Sequence, residues 1–103
     1  MSLRPPGRFS SSRQETGFNV LEHEMLAEMA ASLGRAGQRA EETLALLRDH
    51  QGDEAKRPKL LKDAARAVHA YFIQRELCGL KRHDDVIRDL AIPKEVLVRL
   101  GAI

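Results

Sequence analysis

His23 stands between two acidic residues, Glu22 and Glu24, and imidazole and carboxylate groups are common metal ligands. Adjacent residues on a helix point about 100° apart, so these three side chains cannot converge on one ion. Glu24 and Glu28 do share a helix face, but the sequence has no second motif that offers a histidine at matching spacing, as di-iron helical bundles require. We therefore expect a solvated acidic surface, with no metal and no cofactor.

Cys78 is the single cysteine of the 103 residues, which excludes an internal disulfide and fits a reducing compartment. A catalytic thiol with His69 or His83 as its base would need an electropositive neighbourhood, such as a helix N-terminus. Cys78 instead follows Glu76 at the expected end of a helix. The sequence also lacks a glycine-rich phosphate loop and a nucleophile elbow. We therefore predict that the protein is not an enzyme.

Two patterns in the sequence could serve nucleic-acid binding. The apolar positions of residues 84–100 match the skeleton of a helix-turn-helix, but its second helix offers only Lys94 and Arg99 as cations, beside Glu95. A modest basic stripe on the second helix of the chain supplies the candidate interaction residues Lys59, Lys62, Arg66 and Arg75. Because no aromatic residues accompany this stripe, we expect its cations to pair with acids of the first helix or of a second subunit. Nucleic-acid binding is kept as the alternative.

The first helix is predicted from apolar residues that recur every three or four positions over residues 25–47. Asn19 suits its N-cap, because Glu22 stands at the capping-box position. Gly34 and Gly37 each cost about 1 kcal/mol inside a helix. The apolar spacing continues in phase across them, which favours one long helix over a break at the glycines.

The second helix follows the polar loop at residues 50–57, begins near Pro58 and ends at Gly79. A short loop makes the two helices antiparallel neighbours. This register sets residues 70–73 opposite residues 34–37, so that Tyr71 or Phe72 should contact one of the two glycines. It also sets acids of the first helix near cations of the second, namely Glu41 and Glu42 near Lys62 and Arg66.

Two short helices complete the predicted fold. Asp84 or Asp85 caps the first, while Pro93 opens the second and Gly101 ends it. We expect both to cover the apolar residues at the start of the longer first helix, which are Phe18, Leu21 and Met25. The fold class is therefore all-α, a long antiparallel helical hairpin plus two short C-terminal helices. Two such hairpins could form a coiled-coil-like four-helix bundle as a dimer.

Residues 1–17 are rich in Arg, Ser and Pro and have too little apolar surface to offset the entropy of ordering. We predict a disordered basic arm over residues 1–17 and a single helical domain over residues 18–103. No run is long and apolar enough for a membrane helix or a secretory signal, so we expect no membrane partner. The net charge of +2 does not by itself identify a partner.

Three stretches together resemble a family of short bacterial helical proteins that is known only as a domain of unknown function. They are residues 16–24 (TGFNVLEHE), 74–80 (QRELCGL) and 92–101 (IPKEVLVRLG). The resemblance implies a bacterial, helical, cytoplasmic protein, and it supplies no catalytic residue.

The sequence favours a non-enzymatic protein-interaction module that works as a homodimer, with any further protein partner unknown. The alternative is a small nucleic-acid-binding regulator that uses the basic face of the second helix and the helix-turn-helix-like segment. A regulator would leave a continuous face of lysines and arginines unpaired by acids.

Overall fold

The computed structural model describes the backbone of residues 6–100 and the side chains of residues 17–100. Helices and turns account for this part of the chain, which contains no strand. The elements are α1 (Pro6–Arg48), a 3₁₀ turn (Glu54–Lys56), α2 (Arg57–Leu77), α3 (Asp84–Asp89) and α4 (Lys94–Leu97). The predicted all-α class, a long hairpin plus two short helices, is confirmed. The chain packs as two compact units, Met1–Ala31 and Ser32–Ile103.

The start of α1 differs from the prediction. α1 begins at Pro6, whereas the sequence suggested Asn19 as the N-cap, so that boundary is wrong. Proline suits the first turn of a helix because its missing N–H group would have no partner there. The predicted disorder of residues 1–17 stays a prediction, and residues 1–5 lie outside the described residues.

The glycines of α1 do not interrupt it, so the predicted continuous helix is confirmed. A Cβ atom added to Gly37 would lie 3.2 Å from both Cε1 and Cζ of Tyr71. This contact confirms the predicted register of the hairpin. At Gly34, by contrast, an added Cβ atom would meet nothing within 4 Å. Only Gly37 is therefore required for the close approach of α2.

The core of the second unit forms where α1, α2 and the segment from α3 to α4 meet. Small residues let the helices approach closely, and Val68 and Val96 have the largest fully buried side chains. The buried apolar residues are Ala40, Leu44 and Leu47 of α1, Leu61, Ala64, Ala65, Ala67, Val68 and Phe72 of α2, and Val86, Ile92 and Val96 of the last segment. The segment after α2 is therefore part of the core.

α2 ends in a Schellman motif that reverses the direction of the chain. Gly79 has a φ of +89°, its N–H donates to Glu76 O at 3.0 Å, and the N–H of Leu80 donates to Arg75 O at 2.9 Å. The predicted end of α2 at Gly79 is confirmed. The chain then returns along α2, because Asp85 lies near Arg75 whereas Glu95 reaches Arg57 at the other end of the helix.

The structure contradicts two predictions about the short helices. Phe18, Leu21 and Met25 are 73%, 59% and 66% exposed, so the expectation that the short helices cover them is wrong. The turn at Gly79 instead directs α3 and α4 onto the core of the second unit. His83 occupies the N-cap of α3 and Asp84 is the first helical residue, so the predicted aspartate N-cap is also wrong. Gly101 lies outside the described residues.

The end of α3 repeats the Schellman geometry, with alanine in place of glycine. Ala91 has a φ of +51°, and the N–H of Ile92 donates to Ile87 O at 3.0 Å. A Cβ atom disfavours this left-handed conformation by about 1–2 kcal/mol. We expect Ala91→Gly to raise the free energy of unfolding by about 1 kcal/mol, because glycine removes that cost while its greater freedom in the unfolded chain returns part of it.

Urea unfolding measures this effect, and Gly79→Ala is the matched reverse change. An added Cβ atom at Gly79 would meet nothing within 4 Å, so its penalty is conformational alone. We expect Gly79→Ala to lower the unfolding free energy by about 1–2 kcal/mol. Equal effects of the same sign from the two substitutions would contradict the assignment of φ at Ala91.

Candidate functional site

The structure separates the four candidate interaction residues. Lys59, Lys62 and Arg66 are exposed and lie on the side of α2 opposite Val68, which points into the core. Arg75 is buried, with only 8% of its surface exposed, because its spacing places it on the apolar side of the helix. The basic surface of α2 is therefore a group of three cations, Lys59, Lys62 and Arg66, which we call the α2 basic face.

The predicted charge pairing between the two long helices is not formed. Glu41 and Glu42 are exposed, and neither makes a salt bridge to Lys62 or Arg66 within the described residues. The reason is geometric: Ala40 points into the core, so the next two residues of α1 turn away from α2.

The electrostatic interaction between the two long helices instead involves an acid on α2, Asp63, and a cation on α1, Arg39. Lys59 Nζ lies 2.8 Å from Asp63 Oδ2. This hydrogen bond is the main cause that lowers the pKa of Asp63, and the positive charges of Arg66 on α2 and Arg39 on α1 contribute to the shift. Within the α2 basic face, Lys59 is therefore paired, whereas Lys62 has no ion-pair partner among the described residues.

Arg75 is the centre of a polar cluster that joins the end of α2 to α3. Its Nε donates to His83 Nδ1 at 3.1 Å, and its Nη2 donates to the backbone oxygen of Arg82 at 2.9 Å. His83 stacks on Phe72 with ring centroids 4.1 Å apart, and its Nε2 lies 2.9 Å from Glu76 Oε2. Since Nδ1 accepts, the neutral ring carries its proton on Nε2 and donates to Glu76. The cluster is a structural element of the core.

A second polar contact joins α4 to the start of α2. Glu95 accepts two hydrogen bonds from the Arg57 guanidinium, one of them from Nη1 at 3.1 Å. These bonds lower the pKa of Glu95 and raise that of Arg57. Because the pKa of Glu95 is lower in the folded chain, the pair stabilises the fold above the ordinary carboxyl pKa and loses its effect as the pH falls through the lowered value.

We therefore expect Glu95→Gln to destabilise the protein near neutral pH and to have little effect under strongly acidic conditions. Urea unfolding of both proteins from neutral to acidic pH measures the difference. Asp63 contributes a similar acid-dependent loss to both proteins, so the difference between them isolates Glu95. A difference that stays constant across the acidic range would contradict the role of the carboxylate.

The helix-turn-helix interpretation of residues 84–100 gains little support from the geometry. α4 has four residues, which is about one turn, whereas a recognition helix must reach along the major groove. Val86, Ile92 and Val96, which match the apolar skeleton of that motif, are buried in the core of the second unit. Lys94 and Arg99 are exposed at its surface.

The described cysteine, histidine and carboxylate side chains, which could take part in catalysis or bind a metal, do not assemble into a reactive group. Cys78 is a half-buried free thiol at the C-cap of α2. Among the described residues, no three His, Cys, Asp or Glu side chains are placed to hold a metal ion. His50 borders an open groove of about 780 Å³, but its Nε2 is bonded to the backbone oxygen of Asp53 at 2.9 Å. These observations give no support to a catalytic site.

The first unit carries an exposed apolar surface that includes Phe18, Leu21 and Met25, the residues predicted to lie beneath the two short helices. Large side chains on successive turns of α1 are exposed, at 73% for Phe18, 59% for Leu21, 66% for Met25 and 55% for Leu26. Met29 continues the same side and is half-buried. We call these five residues the α1 apolar face. Val20, which is 51% exposed, lies on the opposite side of the helix.

None of the helices in the described part of the chain is both long enough and apolar enough to cross a membrane. No curated protein and no solved structure matches the sequence. A family model described as "Family of unknown function (DUF6665)" matches residues 1–103, and it confirms the resemblance to a domain of unknown function. Because the match covers the whole sequence given, the chain belongs to this family.

Proposed function

We propose that the protein is a non-enzymatic protein-interaction module that works as a homodimer. The observation that carries this proposal is the α1 apolar face, where four of the five side chains are more than half exposed. Monomeric proteins rarely leave a contiguous apolar surface of this kind unless it binds something. The single half-buried thiol suits a reducing compartment, so we place the module in the cytoplasm.

A second copy is the favoured occupant because the surface is a regular helix side. Phe18, Met25 and Met29 recur at helical spacing, so they lie on one side of the helix in the first unit. An apolar helix side of this kind packs well against the apolar side of another amphipathic helix, and α1 of a second copy of the chain provides such a helix. In a dimer with twofold symmetry the same residues serve both subunits, so a single surface is sufficient.

Multi-angle light scattering at micromolar concentration tests the proposal. We expect a mass approaching twice 11.5 kDa that falls on dilution. Leu26→Lys should weaken self-association by about tenfold or more, since a charge at the contact costs more than about 1.4 kcal/mol.

Val20→Lys is the matched control, because it makes the same kind of change on the opposite side of the same helix. We expect it to leave the dimer intact. Circular dichroism of both variants checks that α1 stays helical. A concentration-independent mass of 11.5 kDa for the unaltered chain would reject the homodimer.

A nucleic-acid-binding regulator is the second candidate, and the α2 basic face is the observation that favours it. Lys62 and Arg66 point to solvent, and none of the described acids of α1 forms a salt bridge with them. Phosphate contacts of this type give affinity that falls steeply as the salt concentration rises. The face is small, however, and Asp63 already pairs with Lys59.

Fluorescence anisotropy with a labelled random-sequence duplex distinguishes the two candidates. Submicromolar binding at physiological salt that Lys62→Glu and Arg66→Glu abolish would establish the regulator. Lys81→Glu is the control, because it alters an exposed cation outside both the α2 basic face and the helix-turn-helix-like segment. Weak binding that none of the three changes would leave the interaction module as the function.

A further inference from the structure

His83 is an ionisable side chain of the second unit that the proposed homodimer does not use. Its side chain is only 14% exposed, it stacks on Phe72, and the residue occupies the N-cap of α3. We propose that the hydrogen bond between Arg75 and His83 is a pH-sensitive contact between α2 and α3. It forms when the His83 ring is neutral and breaks when Nδ1 binds a proton, and the break uncovers Phe72.

The direction of the hydrogen bond carries this proposal. Arg75 Nε lies 3.1 Å from His83 Nδ1. A guanidinium stays charged throughout the accessible pH range and has N–H groups but no acceptor, so Arg75 is always the donor. Nδ1 accepts only while it carries a free lone pair. A proton on Nδ1 sets two N–H groups and two positive charges against each other, so the contact requires the neutral ring.

Glu76 on α2 acts in the opposite sense. Its Oε2 lies 2.9 Å from His83 Nε2, which carries a hydrogen in the neutral ring and in the cation, so its carboxylate attracts the cation. The Glu76 side chain is 53% exposed, however, whereas that of Arg75 is 10% exposed. Water screens the attraction to Glu76 more than it screens the repulsion from Arg75, so the repulsion is the stronger effect.

The charged groups beside His83 in the turn and in α3 change this balance little. Arg82 Nη2 lies 3.4 Å from Asp84 Oδ2, both side chains are more than four-fifths exposed, and their charges oppose each other. Asp85 Oδ1 lies 3.7 Å from Arg75 Nη2 and is 62% exposed, so it offsets only part of the guanidinium charge. The cation of His83 therefore remains unfavourable in the closed arrangement.

Breaking the contact has a structural consequence at the end of α2. The ring centroids of His83 and Phe72 are 4.1 Å apart and the two rings are parallel, so His83 covers Phe72, which is 8% exposed. When the ring turns away from Arg75 it also leaves this stack. Protonation therefore detaches the start of α3 from α2 and exposes an aromatic residue of the core.

Urea unfolding of the unaltered chain and of His83→Asn, between about pH 7.5 and about pH 5.5, tests the proposal. Asparagine does not bind a proton in this range, and its Oδ1 can accept from Arg75. His83 in the unfolded chain gains its proton near about pH 6.5, so the unfolded state binds more protons than the folded state and stability falls with the pH. We expect the folding equilibrium constant of the unaltered chain to fall by about fivefold or more relative to that of His83→Asn.

Two further variants test the assignment to this contact. Glu76→Gln removes the opposing attraction and should make the dependence on pH steeper. His69→Asn is the matched control, because it removes another half-buried histidine, on α2 but outside this cluster, and we expect no pH-dependent difference from the unaltered chain.

Nitrogen-15 NMR of the ring in the unaltered chain decides the proposal even where His83→Asn does not fold. We expect the folded chain near neutral pH to have its ring hydrogen on Nε2 and none on Nδ1. A hydrogen on Nδ1 under these conditions would overturn the proposal. A stability ratio to His83→Asn that does not change with pH would overturn it as well, and neither result bears on the homodimer.

Discussion

Replacing Arg75 by alanine is expected to lower the free energy of unfolding by about 2–4 kcal/mol, because the change removes charged donors from a buried site. The guanidinium supplies hydrogen bonds to the His83 ring and to the backbone oxygen of Arg82. Its loss leaves both acceptors without a partner near the core. It also releases the end of α2 from α3, since Asp85 loses its cation.

Urea unfolding followed by far-ultraviolet circular dichroism measures this effect. Arg88→Ala is the matched control, because Arg88 is an exposed arginine whose ion pair among the described side chains is with its neighbour Asp89, and we expect a change within about 0.5 kcal/mol. Arg75→Lys should recover part of the loss, since an ammonium keeps the charge but cannot reach both acceptors in the same fork. Equal stabilities of Arg75→Ala and Arg88→Ala would show that the cluster is unimportant.

Replacing Gly37 by leucine is expected to destabilise the hairpin by about 1–3 kcal/mol through overpacking. A Cβ atom at this position already lies 3.2 Å from the Tyr71 ring, so a larger side chain must displace the ring or separate α1 from α2. The better helix propensity of leucine offsets this cost by less than about 1 kcal/mol.

Gly34→Leu makes the same exchange one turn earlier and is the natural comparison. Gly34 has open space around its Cβ position, so the gain in helix propensity should dominate and stabilise the protein by up to about 1 kcal/mol. Thermal unfolding of the two variants gives the sign directly. A stabilising effect of leucine at both positions would contradict the close contact at Gly37.

The hairpin was predictable because its determinants are local. Apolar spacing, the loop and the stop at Gly79 together place Tyr71 beside Gly37, and simple helix lengths were enough to find the pair. The true start of α1 at Pro6 was missed because residues 6–17 lack apolar residues at helical spacing. Apolar residues at helical spacing indicate a helix with one buried side. A helical segment that buries no side lacks this pattern, so the sequence does not reveal it.

The site is harder to predict because charge alone groups lysine and arginine on one surface, whatever side of the helix they occupy. Arg75 follows Val68 by seven residues and therefore lies on the buried side of α2, whereas Lys62 and Arg66 do not. A helical projection would have separated them. The position of α3 and α4 cannot be found in this way, because it depends on contacts with both ends of α2, namely Asp85 with Arg75 and Glu95 with Arg57.

The return of residues 84–97 along α2 has a consequence for the order in which the protein can fold during its synthesis. Val86, Ile92 and Val96 are added to the chain after both long helices, yet they complete the hydrophobic core. On the ribosome the two helices can pair as soon as the loop between them has emerged. Their apolar residues stay partly open to chaperones and proteases until the last segment emerges from the exit tunnel.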